Sequence, residues 1–339
     1  MKAAVFEGVG KFRIKEVEKP RITMDDQILL KIEACSICGT DVHITADPPG
    51  YIATPNTILG HEFVARIVEV GPAVKHLQAG DRVVVNPNNY CGVCQYCLQN
   101  KPNLCENIEA LGIDYDGAFA EYCVVHSKVA HRISDSVPAV AAACAEPLAC
   151  VVNAMDKMSV RPGDSAVVIG GGPMGLITSM LLKKAGIGKL IHLETAPYRV
   201  QFIRDLGMAD MAINPKETDA AAAVLEQTGG LGANFVVDAT GSQMTAAIDM
   251  VAKGGQVVLL GVNKKALSTV EAFAITTKEI RVSGTWLANA TFPAAVRLLE
   301  QNAIPMERLI TDIICLDDVK EGIQKLAAGL AIKTVIQYN

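Results

Sequence analysis

The chain has 339 residues, half of them hydrophobic, enough for two domains that each bury a core of their own. A net charge of −5 with no Lys/Arg-rich run leaves no basic field for a nucleic-acid backbone, so none is expected as partner. Residues 1–30 interleave charged and apolar side chains and lack the apolar core of a signal peptide or membrane span, which predicts a cytoplasmic protein with no membrane partner; in that reducing setting the ten cysteines are expected as thiols and metal ligands.

Over residues 1–149, short β-like runs at 28–32, 63–70 and 82–85 are broken by Gly, Pro and Asn, predicting an irregular, strand-rich domain. Two segments in it carry mixed ligand types: Cys38-Gly39-Thr40-Asp41-Val42-His43 and Gly60-His61-Glu62. A lone Cys or His is usually a packed residue, so neither segment defines a site by itself. Cys91, Cys94, Cys97 and Cys105 follow as C-x2-C-x2-C-x7-C within a turn-rich stretch, 86–107, that offers little apolar core. Four thiolates so spaced can converge tetrahedrally on one Zn2+ and close it to water, a structural arrangement. Surface thiols or an iron–sulfur cluster are the alternatives. Cys123, Cys144, Cys150 and Cys315 are read as buried apolar side chains.

From residue 150 to 284 the pattern becomes strands alternating with helices, at 166–169, a helix through Lys184, then 190–193, 235–238 and 256–260. This predicts a doubly wound parallel sheet of the α/β class. The first strand runs into Gly170-Gly171-Gly172-Pro173-Met174-Gly175 and then a helix, the context in which GxGxxG signals a dinucleotide site. Gly170 makes the tight turn, Gly172 lets the backbone approach the pyrophosphate, and Gly175 lets helix and strand pack, with the helix N-terminus aimed at the phosphates. Glu194, 19 residues beyond Gly175, is placed to accept hydrogen bonds from the adenosine ribose, which favours NAD over NADP; Arg199 nearby weakens that preference, and a Glu194 turned to solvent would remove it. The tail, 285–339, has a helical stretch at 293–301 and a last apolar run at 334–336 that is expected to return to the first domain.

Taken together, the two ligand-bearing segments and the cysteine lobe resemble the zinc-containing medium-chain dehydrogenases over nearly the whole chain. The resemblance implies a GroES-like catalytic domain, 1–149 with 285–339, beside a Rossmann domain, 150–284, and two zinc ions per subunit. It assigns Cys38 and His61 to the catalytic zinc, and Glu146 as third ligand, since Ala145-Glu146-Pro147-Leu148 stands where polyol and threonine dehydrogenases have Glu-Pro-Leu and alcohol dehydrogenases use Cys. Three ligands leave a position open for a substrate oxygen. Glu62 is then either a group behind the ligands or a fourth ligand that exchanges, and Asp41 accepts a hydrogen bond from the second nitrogen of His61. Thr40 takes the hydroxyl proton and passes it through the nicotinamide ribose to His43 at the surface. Cys35 remains a packed thiol.

Two departures stand out: Ala65 occupies a family glycine position, and Leu287 and Ala288 stand where animal sorbitol dehydrogenases have Arg-Tyr. The activity implied is oxidation of a secondary hydroxyl of a polyol, cyclitol or sugar derivative to a ketone, with Zn2+ acidifying the hydroxyl and NAD accepting hydride. The rivals are a threonine-type or simple alcohol dehydrogenase and, from another class, a catalytically silent binding protein on the same fold. A homo-oligomer is implied, tetramer favoured over dimer.

Overall fold

The computed structural model describes residues 1–338, which divide into two units, residues 1–149 with 288–338, and residues 150–287. In the first unit the strand Gln27–Ser36 is buried over most of its length because both of its edges are paired. One edge takes Glu62–Val70 antiparallel. The other takes Tyr122–His126 along its first half and Lys333–Gln337 along its last residues. Arg82–Val85 and Ala130–Arg132 extend the sheet on one side and Ile310–Ile314 on the other.

The predicted strands of this unit are all present, 82–85 with the bounds expected and the others reaching a little further than their apolar runs. The tail does return: Val335 pairs with Ser36 and Ile336 with Cys35. A second, three-stranded sheet of Lys2–Gly8, Lys11–Glu16 and Thr57–Ile58 has no counterpart in the predicted elements. Its Lys11–Glu16 strand is largely exposed, with only Phe12 and Ile14 alternating against charged neighbours, a shorter signal than the apolar runs of the first sheet. Phe63, Phe119, Leu30 and Ile32 lie in the core beneath these strands.

The second unit is a six-stranded parallel sheet in the order Met211–Ile213, Lys189–Leu193, Ser165–Ile169, Ala233–Asp238, Val251–Leu259, Arg281–Gly284. Taken in chain order that is 3-2-1-4-5-6, the doubly wound arrangement, and its inner strands read as near-continuous apolar runs because a parallel sheet is covered on both faces. The order reverses at Ser165–Ile169, so the switch point lies just past Ile169, at Gly170. There the helix Pro173–Lys184 begins with Gly172 as N-cap and Pro173 in its first turn, where a fixed φ suits a helix start, and it ends on Lys183 and Lys184, which complement the dipole. No helix of the described residues is long and apolar enough to cross a membrane.

One side chain gives the first unit a pH dependence. His131, on Ala130–Arg132, stacks on Phe292 with ring centroids 5.1 Å apart and planes 13° from parallel. Burial pushes its imidazole down to about 4, against about 6.5 in an unfolded chain. Between those values only the unfolded state binds the proton, so stability is present above about pH 6.5 and is lost as pH falls towards 4. His131→Phe keeps the stack and removes the proton. Its melting temperature is expected to fall less than that of the wild type between pH 7 and pH 5, at constant ionic strength; equal falls would place the loss in other groups.

Candidate metal and cofactor sites

Leaving the strand Gln27–Ser36, the chain turns at Cys38 into the short helix Gly39–Thr45. Cys38 is its N-cap: the sulfur accepts from the Thr40 amide at 3.5 Å, and the Cys38 amide donates to Asp41 Oδ2 at 2.8 Å, a reciprocal capping box. His61 and Glu62 enter from the neighbouring strand, after Gly60 at φ 90°, where a Cβ would stand 2.4 Å from the Phe119 ring. Cys38, His61 and Glu62 thereby offer ligand atoms that all lie within 4.8 Å of one another. Glu146 is buried in the first turn of the helix Ala145–Met155 but stands outside that mutually close set.

Asp41 Oδ1 faces His61 Nδ1 at 3.7 Å, longer than the hydrogen bond expected, because the other carboxylate oxygen is drawn to the Cys38 amide; neither facing atom has a hydrogen-bond partner. Thr40 is half-buried with Oγ1 3.6 Å from the Cys38 sulfur. His43, three residues on, is exposed, and Gly50 packs so closely against it that a Cβ there would come within 3.1 Å of Nδ1.

Two residues absent from the predicted site complete the cluster. Ser36 Oγ and Lys333 Nζ both donate to Glu62 Oε2, and Lys333 donates also to the Ile37 carbonyl at 3.1 Å. Lys333 is 3% exposed. Burial by itself would raise the Glu62 carboxyl and lower the Lys333 ammonium, but their mutual attraction outweighs it, leaving Glu62 below and Lys333 above their ordinary values. A signal existed in the sequence: Lys333 adjoins the apolar run 334–336, and a lysine drawn into a buried strand must find an anion there.

Burial, with Glu62 adding, pushes the Cys38 thiol up, and burial likewise raises Asp41; burial would lower His61, yet Asp41 and Cys38 hold it well above its usual value. The cluster is short of positive charge. As ionised groups, Cys38, Asp41 and Glu62 bring three negative charges, of which Lys333 balances one and a divalent cation the other two. Thiolate, imidazole and carboxylate, with ligand atoms within 4.8 Å of one another, suit zinc.

In the cysteine lobe the sulfurs of Cys94 and Cys97 are 3.5 Å apart, those of Cys91 and Cys105 3.5 Å, and those of Cys94 and Cys105 3.9 Å. All four are free thiols. A tetrahedron with Zn–S bonds of about 2.3 Å has edges of about 3.8 Å, so these spacings fit one ion. Amides of Cys91 and Asn107 donate to Cys105 at 3.3 and 3.4 Å, and that of Cys94 to Cys91 at 3.3 Å; the amides of Val93 and Cys94 hold the Cys91 thiol down to about 6. The lobe's helix, Gln95–Leu98, buries no residue, so metal ligation must replace a core.

At the glycine turn, Gly170 has φ 107°, and a Cβ on Gly175 would fall 1.8 Å from the Gly170 carbonyl oxygen. Only glycine at 175 lets the helix come that close. Pro173 opens the helix, and the carbonyl of Met174 accepts from Thr178 Oγ1 at 2.7 Å. Glu194 turns inward: Oε2 accepts from the Gly171 amide at 2.6 Å, and Oε1 from the amides of Thr195 and Ala196 at 2.6 and 2.8 Å. Arg199 Nη1 lies 3.9 Å from where a Cβ on Gly172 would be, and its Nε is buried without a hydrogen-bond partner.

Residues 24–135 match the alcohol dehydrogenase GroES-like domain and residues 173–301 the zinc-binding dehydrogenase domain. The chain is 33% identical to scyllo-inosose 3-dehydrogenase of Thermotoga maritima, over 96% of this chain and 90% of that protein. It belongs to the zinc-dependent medium-chain dehydrogenases, on the polyol branch. This dehydrogenase is also 31% identical to D-arabinitol dehydrogenase 1 of Uromyces fabae, over 100% of this chain and 97% of that one. Among solved structures it is similar to a protein of Sinorhizobium meliloti 1021 assigned as a zinc-binding dehydrogenase and bound to NADP, with TM-score 0.93, 32% identity and 99% of each chain covered. The chain is therefore an enzyme that uses zinc and a nicotinamide cofactor, not a silent binding protein.

Two variants test the metal and charge arrangement. Cys105→Ser is expected to lose the lobe's zinc and to expose residues 86–107 to limited proteolysis; wild-type zinc content and cleavage would sink that reading. Lys333→Met leaves Glu62 buried without its partner and is expected to cost about 3 kcal/mol of stability in denaturant titrations, with Glu62→Gln in the same chain costing less than the sum of the two single changes.

Proposed function

We propose that this dehydrogenase oxidises a secondary hydroxyl of a polyol, cyclitol or related sugar derivative to a ketone, with NAD as hydride acceptor and with one catalytic and one structural zinc in each subunit. The observation that carries the substrate class is the carboxylate character of the metal cluster: Glu62 lies beside Cys38 and His61, and Glu146 is buried where simple alcohol dehydrogenases have Cys. A harder, oxygen-rich site offers acceptors to hydroxyls next to the one oxidised, and rejects analogues that leave those acceptors unpaired. The same Glu occurs in threonine dehydrogenases, so this argument separates oxygen-rich substrates from simple alcohols first. The named relatives, acting on scyllo-inosose and D-arabinitol, support the polyol side.

Cys38, His61 and Glu146 would hold the catalytic ion, with Glu62 steadied by Ser36 and Lys333 through one oxygen and its other oxygen left to the site. Cys91, Cys94, Cys97 and Cys105 would hold the structural one. When bound, the catalytic zinc supplies a Lewis acid for the substrate hydroxyl and the nicotinamide supplies the hydride acceptor. Asp41 orients His61. Thr40, beside Cys38, would accept the hydroxyl proton as it passes its own on towards exposed His43, which returns a proton to water.

For the cofactor, an inward Glu194 held by three amides puts fixed negative charge where a 2′-phosphate would sit, which favours NAD. Arg199 works in the other direction. The assembly is read as a homo-oligomer, tetramer over dimer: the strand Arg281–Gly284 ends its sheet with one edge unpaired, and Phe273 on the helix Ala272–Lys278 is exposed. Ten free thiols agree with a cytoplasmic setting.

The test is a panel of polyols, inositols, sugar acids, threonine and short alcohols, each assayed with NAD and with NADP. Vicinal diols are expected to exceed ethanol and simple secondary alcohols by at least about tenfold in kcat/KM, roughly 1.4 kcal/mol of transition-state binding, with NAD preferred. A monohydric alcohol or threonine as best substrate would defeat the substrate class, and a preference for NADP the cofactor assignment. His43→Ala in the same assay should lower kcat at unchanged zinc content.

A further inference from the structure

The strand Lys189–Leu193 is apolar along its buried run except for His192, which is fully buried. In a protein interior a valine there would need no hydrogen bonds, whereas an imidazole must satisfy two nitrogens. Both are satisfied. His192 Nε2 lies 2.9 Å from the Gly170 carbonyl oxygen, and Nδ1 lies 3.1 Å from Ser179 Oγ on the helix Pro173–Lys184. A carbonyl only accepts, so Nε2 carries the proton and Nδ1 takes the Ser179 hydroxyl. Burial pushes the ring down to about 4, so it stays neutral at working pH and keeps this tautomer.

The partner of Nε2 is the decisive feature. The Gly170 carbonyl and the Gly171 N–H belong to one planar peptide group. Its oxygen is held by His192 at 2.9 Å and its nitrogen by Glu194 Oε2 at 2.6 Å. His192 and Glu194 are two residues apart, so the alternation of the chain sends both towards the turn. The group they hold joins two glycines, the least restrained linkage the backbone has, with Gly170 at φ 107°. Without a hold on its oxygen, that peptide keeps only the close packing of Gly175 against the Gly170 carbonyl, and a tilt would take from Glu194 the amide that fixes Oε2.

We propose that His192 is a positioning residue for cofactor binding: by holding the Gly170–Gly171 peptide it fixes both the glycine turn under the pyrophosphate and the carboxylate that meets the adenosine ribose. The inference rests on the dinucleotide reading of that turn. It concerns affinity and not chemistry, because His192 is sealed in the core and its ring nitrogens are taken by the Gly170 carbonyl and Ser179.

The experiment is calorimetric titration of ADP-ribose, which carries the pyrophosphate and adenosine ribose without the reacting ring, into the wild type, His192→Val, His192→Gln and Ser179→Ala, with steady-state kinetics and melting temperatures alongside. His192→Val is expected to bind ADP-ribose at least about fivefold more weakly, roughly 1 kcal/mol, and to raise KM for NAD in parallel while kcat stays within about twofold. His192→Gln can still donate from its side-chain amide and should recover most of the affinity. A His192→Val protein that melts lower but binds ADP-ribose as the wild type does would reduce His192 to a packing role and overturn the proposal. If that variant does not fold, Ser179→Ala decides: affinity lowered by at least about twofold supports the relay, and unchanged affinity overturns it. Failure of the wild type itself to bind ADP-ribose would instead strike the dinucleotide reading, and the proposal with it.

Discussion

Glu62 has no water to solvate it and must be met by a cation, and the cation that meets it is 271 residues away in sequence. Taking a carboxylate and an ammonium out of water costs several kcal/mol for each, so the pair does little to stabilise the fold by itself, while either partner left alone is strongly destabilising. The constraint this imposes is geometric. Lys333 begins the strand that pairs with Cys35 and Ser36, and a shift of one residue would turn its side chain to the opposite face of the sheet. The ion pair therefore excludes the slipped register. Since Ser36 sits opposite Glu62 in the same sheet and Cys38 follows two residues later, the positions of the metal-binding groups depend on it.

The nucleotide unit solves a different problem with an imidazole and a carboxylate. A glycine-rich turn must be bare enough for a phosphate to approach, yet a bare turn has little to keep its shape. Close contact between Gly175 and the Gly170 carbonyl supplies one restraint, and hydrogen bonds to both ends of the next peptide supply the other. The turn is thus held by His192, in a strand interior where packing locks its rotamer, and by Glu194 just past the end of that strand.

What could be read from the sequence divides along the distance over which each signal acts. The cysteine lobe, the glycine turn and the strands around them announce themselves within a few residues, through ligand spacing, turn chemistry and apolar runs. The return of the tail was legible as a short apolar run with no other place to go. Lys333 was legible only as a lysine beside a buried apolar run that must find an anion, and Ser36 and His192 not at all, because each has its role through a partner from another segment that nothing local names. Orientation was equally hidden: the sequence brought Glu194 to the end of a strand without saying that it turns inward, and placed Asp41 opposite His61 without the competing pull of the Cys38 amide. Glu146 shows the same limit, since the Glu-Pro-Leu segment identifies the residue but not its distance from Cys38 and His61.

The first unit is interrupted in the chain and the second is not, which matters during synthesis. Residues 150–287 leave the ribosome as one continuous stretch and can complete their parallel sheet at once, whereas residues 1–149 must wait for the strand Lys333–Gln337. In that interval the last part of the Gln27–Ser36 strand has an open edge, and Glu62 lies among a thiol, an imidazole and a second carboxylate with no lysine to balance it.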